Sequence, residues 1–139
     1  MPATSIHTDV RAAFRTLLQS VAGLPQVAWE GRNFAPTRGT PFLSETVQPI
    51  SSIVRAVGIG GTIAHTVNLT ATLHYPAAAG TLTIETMAGA IMEALRPGVS
   101  LTYGTSSAMI QRVERNPVQQ SPDWISVAVV ATAVAYSSN

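Results

Sequence analysis

The segment most suggestive of chemistry is Gly58-Ile59-Gly60-Gly61-Thr62. A glycine-rich turn cradles phosphate when a helix N-terminus follows at once and adds its aligned N–H groups. Here the alternating residues of a strand follow, and neither G-x-G-x-x-G nor G-x-x-x-x-G-K-S/T is matched, so these read as turn glycines. The histidines do not assemble a metal site. His65 and His74 fall on opposite faces of one period-two strand, His7 lies on a helix, and cysteine is absent. Gly104-Thr105-Ser106-Ser107-Ala108 lacks the second glycine of a nucleophile elbow and leads into a strand rather than a helix. Glu85 and Glu93 share a helix about 80° apart in projection, which suits a solvated face better than an acid/base pair. Asn68-Leu69-Thr70 matches a glycosylation acceptor, but mid-strand it reads as chance. No catalytic residue, cofactor or metal is expected.

Composition points elsewhere. Of 139 residues only 11% are charged, against about 25% in ordinary domains, while 46% are hydrophobic. A Ser/Thr-coated monomer is one way to cover such a chain; the stronger reading is that neighbouring subunits cover part of its surface. All eight basic residues are arginine, whose planar fork suits contacts between subunits. The net charge of +1, with no basic run, gives no electrostatic footprint for gripping nucleic acid. The longest apolar stretch, residues 125–136, is broken by Ser126 and Thr132 and is too short to span a bilayer. The opening residues have neither a basic nor an apolar signal region, so no secretory signal and no membrane role are expected.

The elements then follow from periodicity. Ile6, Val10, Ala13, Phe14, Leu17, Leu18 and Val21 make one helical stripe, stopped by Gly23 and Pro25. Residues 26–30 read as a short strand, residues 31–41 as an extended arm, and residues 42–48 as a second strand. Residues 49–62 combine Pro49 and three glycines with five large aliphatics, which predicts either a segment folded onto the core or a projecting hairpin. Residues 62–75 alternate cleanly, placing Ile63, His65, Val67, Leu69, Ala71, Leu73 and Tyr75 on one face. A second helix spans residues 82–95, and strands follow at 107–115 and 124–136, joined by a hairpin loop. The last strand is apolar on both faces and predicts a central strand covered on both sides. The expected fold is a single α+β domain over residues 1–139, in the order α-β-β-β-α-β-β, with a mixed or antiparallel sheet and both helices on one face. Candidate subunit or partner contacts are Arg32, Phe34 and Arg38 on the arm, and Ile53, Val54, Arg55, Val57 and Ile59 in the projecting segment. Burying Ile53, Val54, Val57 and Ile59 would contribute on the order of 6 to 12 kcal/mol before ordering costs.

Several local phrases carry a resemblance: the helix Ile6-His7-Thr8-Asp9-Val10-Arg11-Ala12-Ala13-Phe14, then Leu24-Pro25-Gln26-Val27-Ala28-Trp29-Glu30 leading to Gly39-Thr40-Pro41-Phe42-Leu43, then Tyr75-Pro76-Ala77 and Trp124-Ile125-Ser126-Val127. With the order of elements, these make the chain resemble the tail-terminator-like proteins of long-tailed bacteriophages. That resemblance implies a structural virion protein at the tail–neck junction, made in the host cytoplasm. It would form a ring of identical subunits, six by expectation, between the tail tube protein and the neck or connector protein. DNA would pass through the lumen without being held. A head–tail joining subunit of related fold is the runner-up, and a dimeric ligand-binding domain is the alternative from a different class.

Overall fold

The computed structural model describes residues 5–36, 39–55, 62–103 and 106–138. The expected contacts Arg38, Val57 and Ile59 lie outside the described residues. Helix α1, Ile6–Gln19, buries Ile6, Val10, Ala13, Phe14 and Leu18, the stripe that its spacing dictates. Gly23, at φ +76°, turns the chain out of α1 in a conformation that a side chain would strain. Strands β1 (Gln26–Ala28), β2 (Phe42–Val54) and β3 (Thr62–Pro76) precede a 3-10 turn at Ala77–Ala79. Gly80, at φ +75°, then leads into α2, Thr81–Ala94, which buries Ile84, Ala88 and Ile91. Strands β4 (Ser100–Tyr103), β5 (Ser106–Arg115), β6 (Gln119–Gln120) and β7 (Trp124–Ser138) complete the chain.

The strands form one mixed sheet in the order β1-β2-β3-β7-β5-β4, with β6 pairing β7. Only β1 against β2 is parallel among the described pairs. Both helices share one face: α1 crosses β4, β5 and β7, and α2 crosses β7, β3 and β5. Beneath them lie Leu43, Val47, Val67, Leu69, Ala71, Leu73, Val127, Val129 and Ala131, all buried.

Three expectations change. Residues 100–103 and 119–120 are strands rather than loop; four and two residues are too few to show a period. β2 does not stop at Gln48 but runs through Pro49 to Val54, because a strand edge tolerates a proline whose missing N–H would have pointed outward. β7 is central, between β3 and β5, yet only its odd-numbered face lies under the helices. Ser126, Ala128, Val130 and Thr132 on its other face are half-buried, with no layer of the described residues above them.

One polar network fastens α1 to the sheet. The Glu45 side chain on β2 points under the helices and is fully enclosed. Arg15 of α1 grips it with two donors, Nε to Oε2 at 3.1 Å and Nη2 to Oε1 at 3.2 Å, and Nη2 also donates to the Glu30 carbonyl at 3.1 Å. The Glu30 N–H donates to Glu45 Oε1 at 2.9 Å, and Arg11 pairs with the Glu30 carboxylate. Removing one partner of an enclosed ion pair strands the other charge in a poor solvent. Arg15→Ala should therefore cost about 3 kcal/mol in denaturant unfolding, while Arg11→Ala, which removes the pair with Glu30 and only a longer 3.7 Å contact with Glu45, should cost less. Equal losses would show that Glu45 does not depend on Arg15.

Candidate subunit interface

The distal half of β2 and the start of β3 form a hairpin stem whose residues 48–55 are all exposed. Its rungs pair Ser51 with Thr66, Ser52 with His65, Ile53 with Ala64 and Val54 with Ile63, and the Arg55 N–H donates to the Thr62 carbonyl at 2.7 Å. Ile50, Ile53 and Val54 are each about half exposed, at 51%, 49% and 55%. β-Branched side chains suit a strand, but at this exposure they gain nothing from the subunit's own core. A bulge between Pro49 and Ser51 shifts the register by one residue. As a result Val54 and Ser52 share the helix-bearing face and Ile53 the open one.

His65 braces the root of this stem. Its Nδ1 is 2.7 Å from Ser52 Oγ on β2, and its Nε2 is 2.7 Å from Ser137 Oγ on β7. The His7 ring of α1 meets it edge-on, with centroids 5.6 Å apart. Burial, and secondarily the neighbouring His7, hold the His65 pKa below its ordinary value. A neutral imidazole donates from one nitrogen and accepts at the other, which is what two flanking hydroxyls can satisfy. Ser137 stands where a carboxylate would orient a catalytic histidine, and both ring nitrogens are already engaged, so the cluster ties strands together rather than activating a nucleophile or binding a metal. Among the described residues no group of three or more His, Cys, Asp or Glu could hold a metal ion. No described helix is long and apolar enough to cross a membrane.

The open face has two ends. At one, Phe42 stacks on His74 with centroids 4.4 Å apart, Trp124 meets Phe42 edge-on, and Phe34 of the arm lies on Phe42 at 5.2 Å. Burial lowers the His74 pKa as well. Between the ends runs a belt of Ser44, Thr46, Gln48, Asn68, Thr70, Thr72, Ala128, Val130 and Thr132, with Thr132 donating to Asn68 Oδ1 at 3.0 Å. The charged side chains that the register assigns to this face among the described strands, Arg112 and Glu114, pair with each other at 3.2 Å. At the far end, beside the hairpin root, Ile53, Met109 and Tyr136 surround the buried Val134 and Ala64.

The structure therefore divides the candidate residues. Ile53, Val54 and Arg55 share the hairpin, while Arg32, in an exposed turn, and Phe34, half-buried on Phe42, lie roughly 35 Å of strand away. Sequence reasoning missed Met109, Tyr136, Tyr103 and Leu82, which are exposed at 50%, 48%, 51% and 78%. Strand parity groups Met109 and Tyr136 with their faces, but only the placement of the helices shows which face stays open.

A one-sided sheet with two helices behind it, apolar side chains at its margins and few charges has the make-up of a subunit that packs against others. The model of the phage tail terminator protein family matches residues 9–131, and the chain belongs to that family, which is structural rather than enzymatic. It is a structural protein of a phage-type tail, working among other virion proteins. No curated protein sequence matches the chain. Among solved structures, a chain in the virion of a native gene transfer agent particle superposes with a TM-score of 0.66 at 17% identity, covering 97% of this chain and 100% of that one. Another solved chain superposes with a TM-score of 0.72 at 16% identity, covering 92% and 94%. At these identities the likeness is one of fold.

Stability should fall on mild acidification. The unfolded chain protonates its histidines near their ordinary value of about 6.5, whereas folded His65 and His74 resist protonation. The stabilisation is complete above that value and declines as pH drops below it. The lowered Glu30 pKa, caused first by the Arg11 hydrogen bond and then by the Val47 N–H, acts in a separate and more acidic window. His65→Gln should flatten the loss between pH 7.5 and 5.5 in urea titrations. An unchanged slope would remove His65 from this account.

Proposed function

We propose that this chain assembles into a closed ring, of six copies by expectation, that caps the head-proximal end of a phage tail tube and joins it to the neck. The observation that carries the reading is the family match across most of the chain. The geometry supports it. A tube grows by adding identical rings, so its end must be covered by a subunit that fits a ring on one side and refuses one on the other. Such a task needs shape and patch complementarity on several faces and no chemistry. This fold offers a sheet face that no described element covers, an aliphatic hairpin stem and an exposed Leu82 on α2. DNA crossing the lumen would slide best past a wall with few cations, because each neutralised phosphate releases counterions and tightens binding.

Particles lacking the protein should show filled heads without joined tails and tubes of abnormal length in electron microscopy. Tubes of normal length that merely fail to join would favour a neck subunit of related fold, and intact infectious particles would overturn both readings. In solution or on tube ends, the assembled mass separates a ring from the dimer that a ligand-binding domain would form. Ile53→Asp combined with Val54→Asp should leave the circular dichroism spectrum intact and abolish assembly. Loss of folding would instead assign these side chains to the subunit's own stability.

A further inference from the structure

Two edges of the sheet are left unguarded, and they match. On β2, the outer edge is occupied by β1 at Phe42, Leu43 and Ser44, and the Val47 N–H is taken by the Glu30 carboxylate at 3.2 Å. Pro49 has no N–H to offer at the next outward position. Beyond the bulge, the inward bond from the Arg55 N–H means that alternate residues, Ser52 and Val54, turn their backbone groups outward. Among the described residues nothing bonds those groups. The sequence there, Ile50-Ser51-Ser52-Ile53-Val54, has no charge and no proline, the usual guards of a sheet edge. On the opposite edge, β4 reads Ser100-Leu101-Thr102-Tyr103 and is equally unguarded. The remaining stretch of β5 edge, by contrast, carries Arg112, Glu114 and Arg115.

Following the ladders across the sheet fixes where these edges lie. Ser51 pairs with Thr66, Thr66 with Val134, Val134 with Met109 and Met109 with Ser100. The next rung runs Ser52, His65, Ala135, Ala108, Leu101. The two open edges are therefore level, and the antiparallel pairings across the sheet give β2 and β4 the same direction. A second copy rotated about an axis along the strands would bring its β4 against this β2 in parallel, continuing the line that β1 begins, without sliding along the axis. Head-to-tail contacts without axial offset close into rings, whereas an offset makes filaments.

Side-chain space agrees. A groove of about 320 Å³ lies on the helix side of β4, lined by Ala13, Thr16 and Leu17 of α1 with Leu101. A second, of about 300 Å³, lies on the open side against Met109, Val134 and Tyr136. Val54 projects to the helix side and Ile53 to the open side, so an incoming β2 edge offers one aliphatic to each groove. Main-chain bonds for affinity and alternating pockets for specificity are the mode of strand addition.

We propose that neighbouring copies join by parallel addition of residues 51–54 to Ser100–Tyr103 of the next copy, making the sheet continuous around the ring. This deepens the ring reading and rests on it. The chain has no cysteine, so an engineered pair reports alone. Assembled Ile53→Cys/Thr102→Cys protein, oxidised and run without reductant, should give a ladder of linked species up to the ring number. Each single variant and the pair Ile53→Cys/Leu82→Cys should give none beyond dimer. Rings visible by microscopy with no such ladder, or with equal linkage through Leu82, would overturn the proposal and leave the ring standing. Absence of rings both in solution and in particles would overturn both. In the unmodified chain, amide exchange of residues 51–54 and 100–103 should slow tenfold or more on assembly, and unchanged exchange in assembled rings would also overturn it.

Discussion

The fold depends first on a carboxylate that has no business in a core. Glu45 sits beneath α1 with its side chain fully enclosed, and a charge in that position is tolerable only when every lone pair finds a donor. Arg15 and the Glu30 N–H supply the donors, and Arg15 also spreads over the Trp29 ring, 5.2 Å from its centroid. These contacts reach α1, the turn after β1 and β2 together. They fix where the helix begins its crossing of the sheet and where the arm departs. An apolar residue at the same place would pack, but it would not specify which turn of α1 meets which rung of β2.

Because Glu45 and its partners pin α1, and Ile84, Ala88 and Ile91 seat α2 on the same side, all the helical cover is spent on one face. The middle of the opposite face is left with small, polar and β-branched residues, among which Thr132 donates to Asn68. Such a surface neither demands burial as a row of leucines would nor resists it as a row of lysines would. That character lets the face meet either protein or solvent.

Much of this was legible in the chain. The α1 stripe and the alternation along β3 are long enough for periodicity to decide, and both appear where the spacing puts them. The aliphatics after Pro49 were conspicuous because loops seldom carry them. What could not be read has physical causes. β4 is four residues long, so it forms only because β5 offers it a ladder and α1 a roof. The extra reach of β2 depends on which side of the strand Pro49 faces, a property of pairing and not of composition. The dual apolar character of β7 suggested two covering layers, but Ala128, Val130 and Thr132 are small enough to rest half-buried beside their neighbours on adjacent strands. Phe34 was read as a contact offered by the arm, yet it has an aromatic floor in Phe42, eight residues further along and invisible to spacing.

The brace around His65 also bears on how the molecule comes into being. Ser52, His65 and Ser137 span most of the chain, and β7 supplies the central pairing for both β3 and β5. During synthesis, α1, β1, β2 and β3 emerge first, before the central strand that ties β3 to the rest of the sheet. β4 and β5 follow with no central strand to dock against. The ladders that join β3 to β5 through the centre of the sheet wait for β7, so the two halves of the sheet unite late. Its open edges acquire their matched heights only at that moment. A nascent chain on the ribosome thus carries no finished pair of level edges until its last strand is in place.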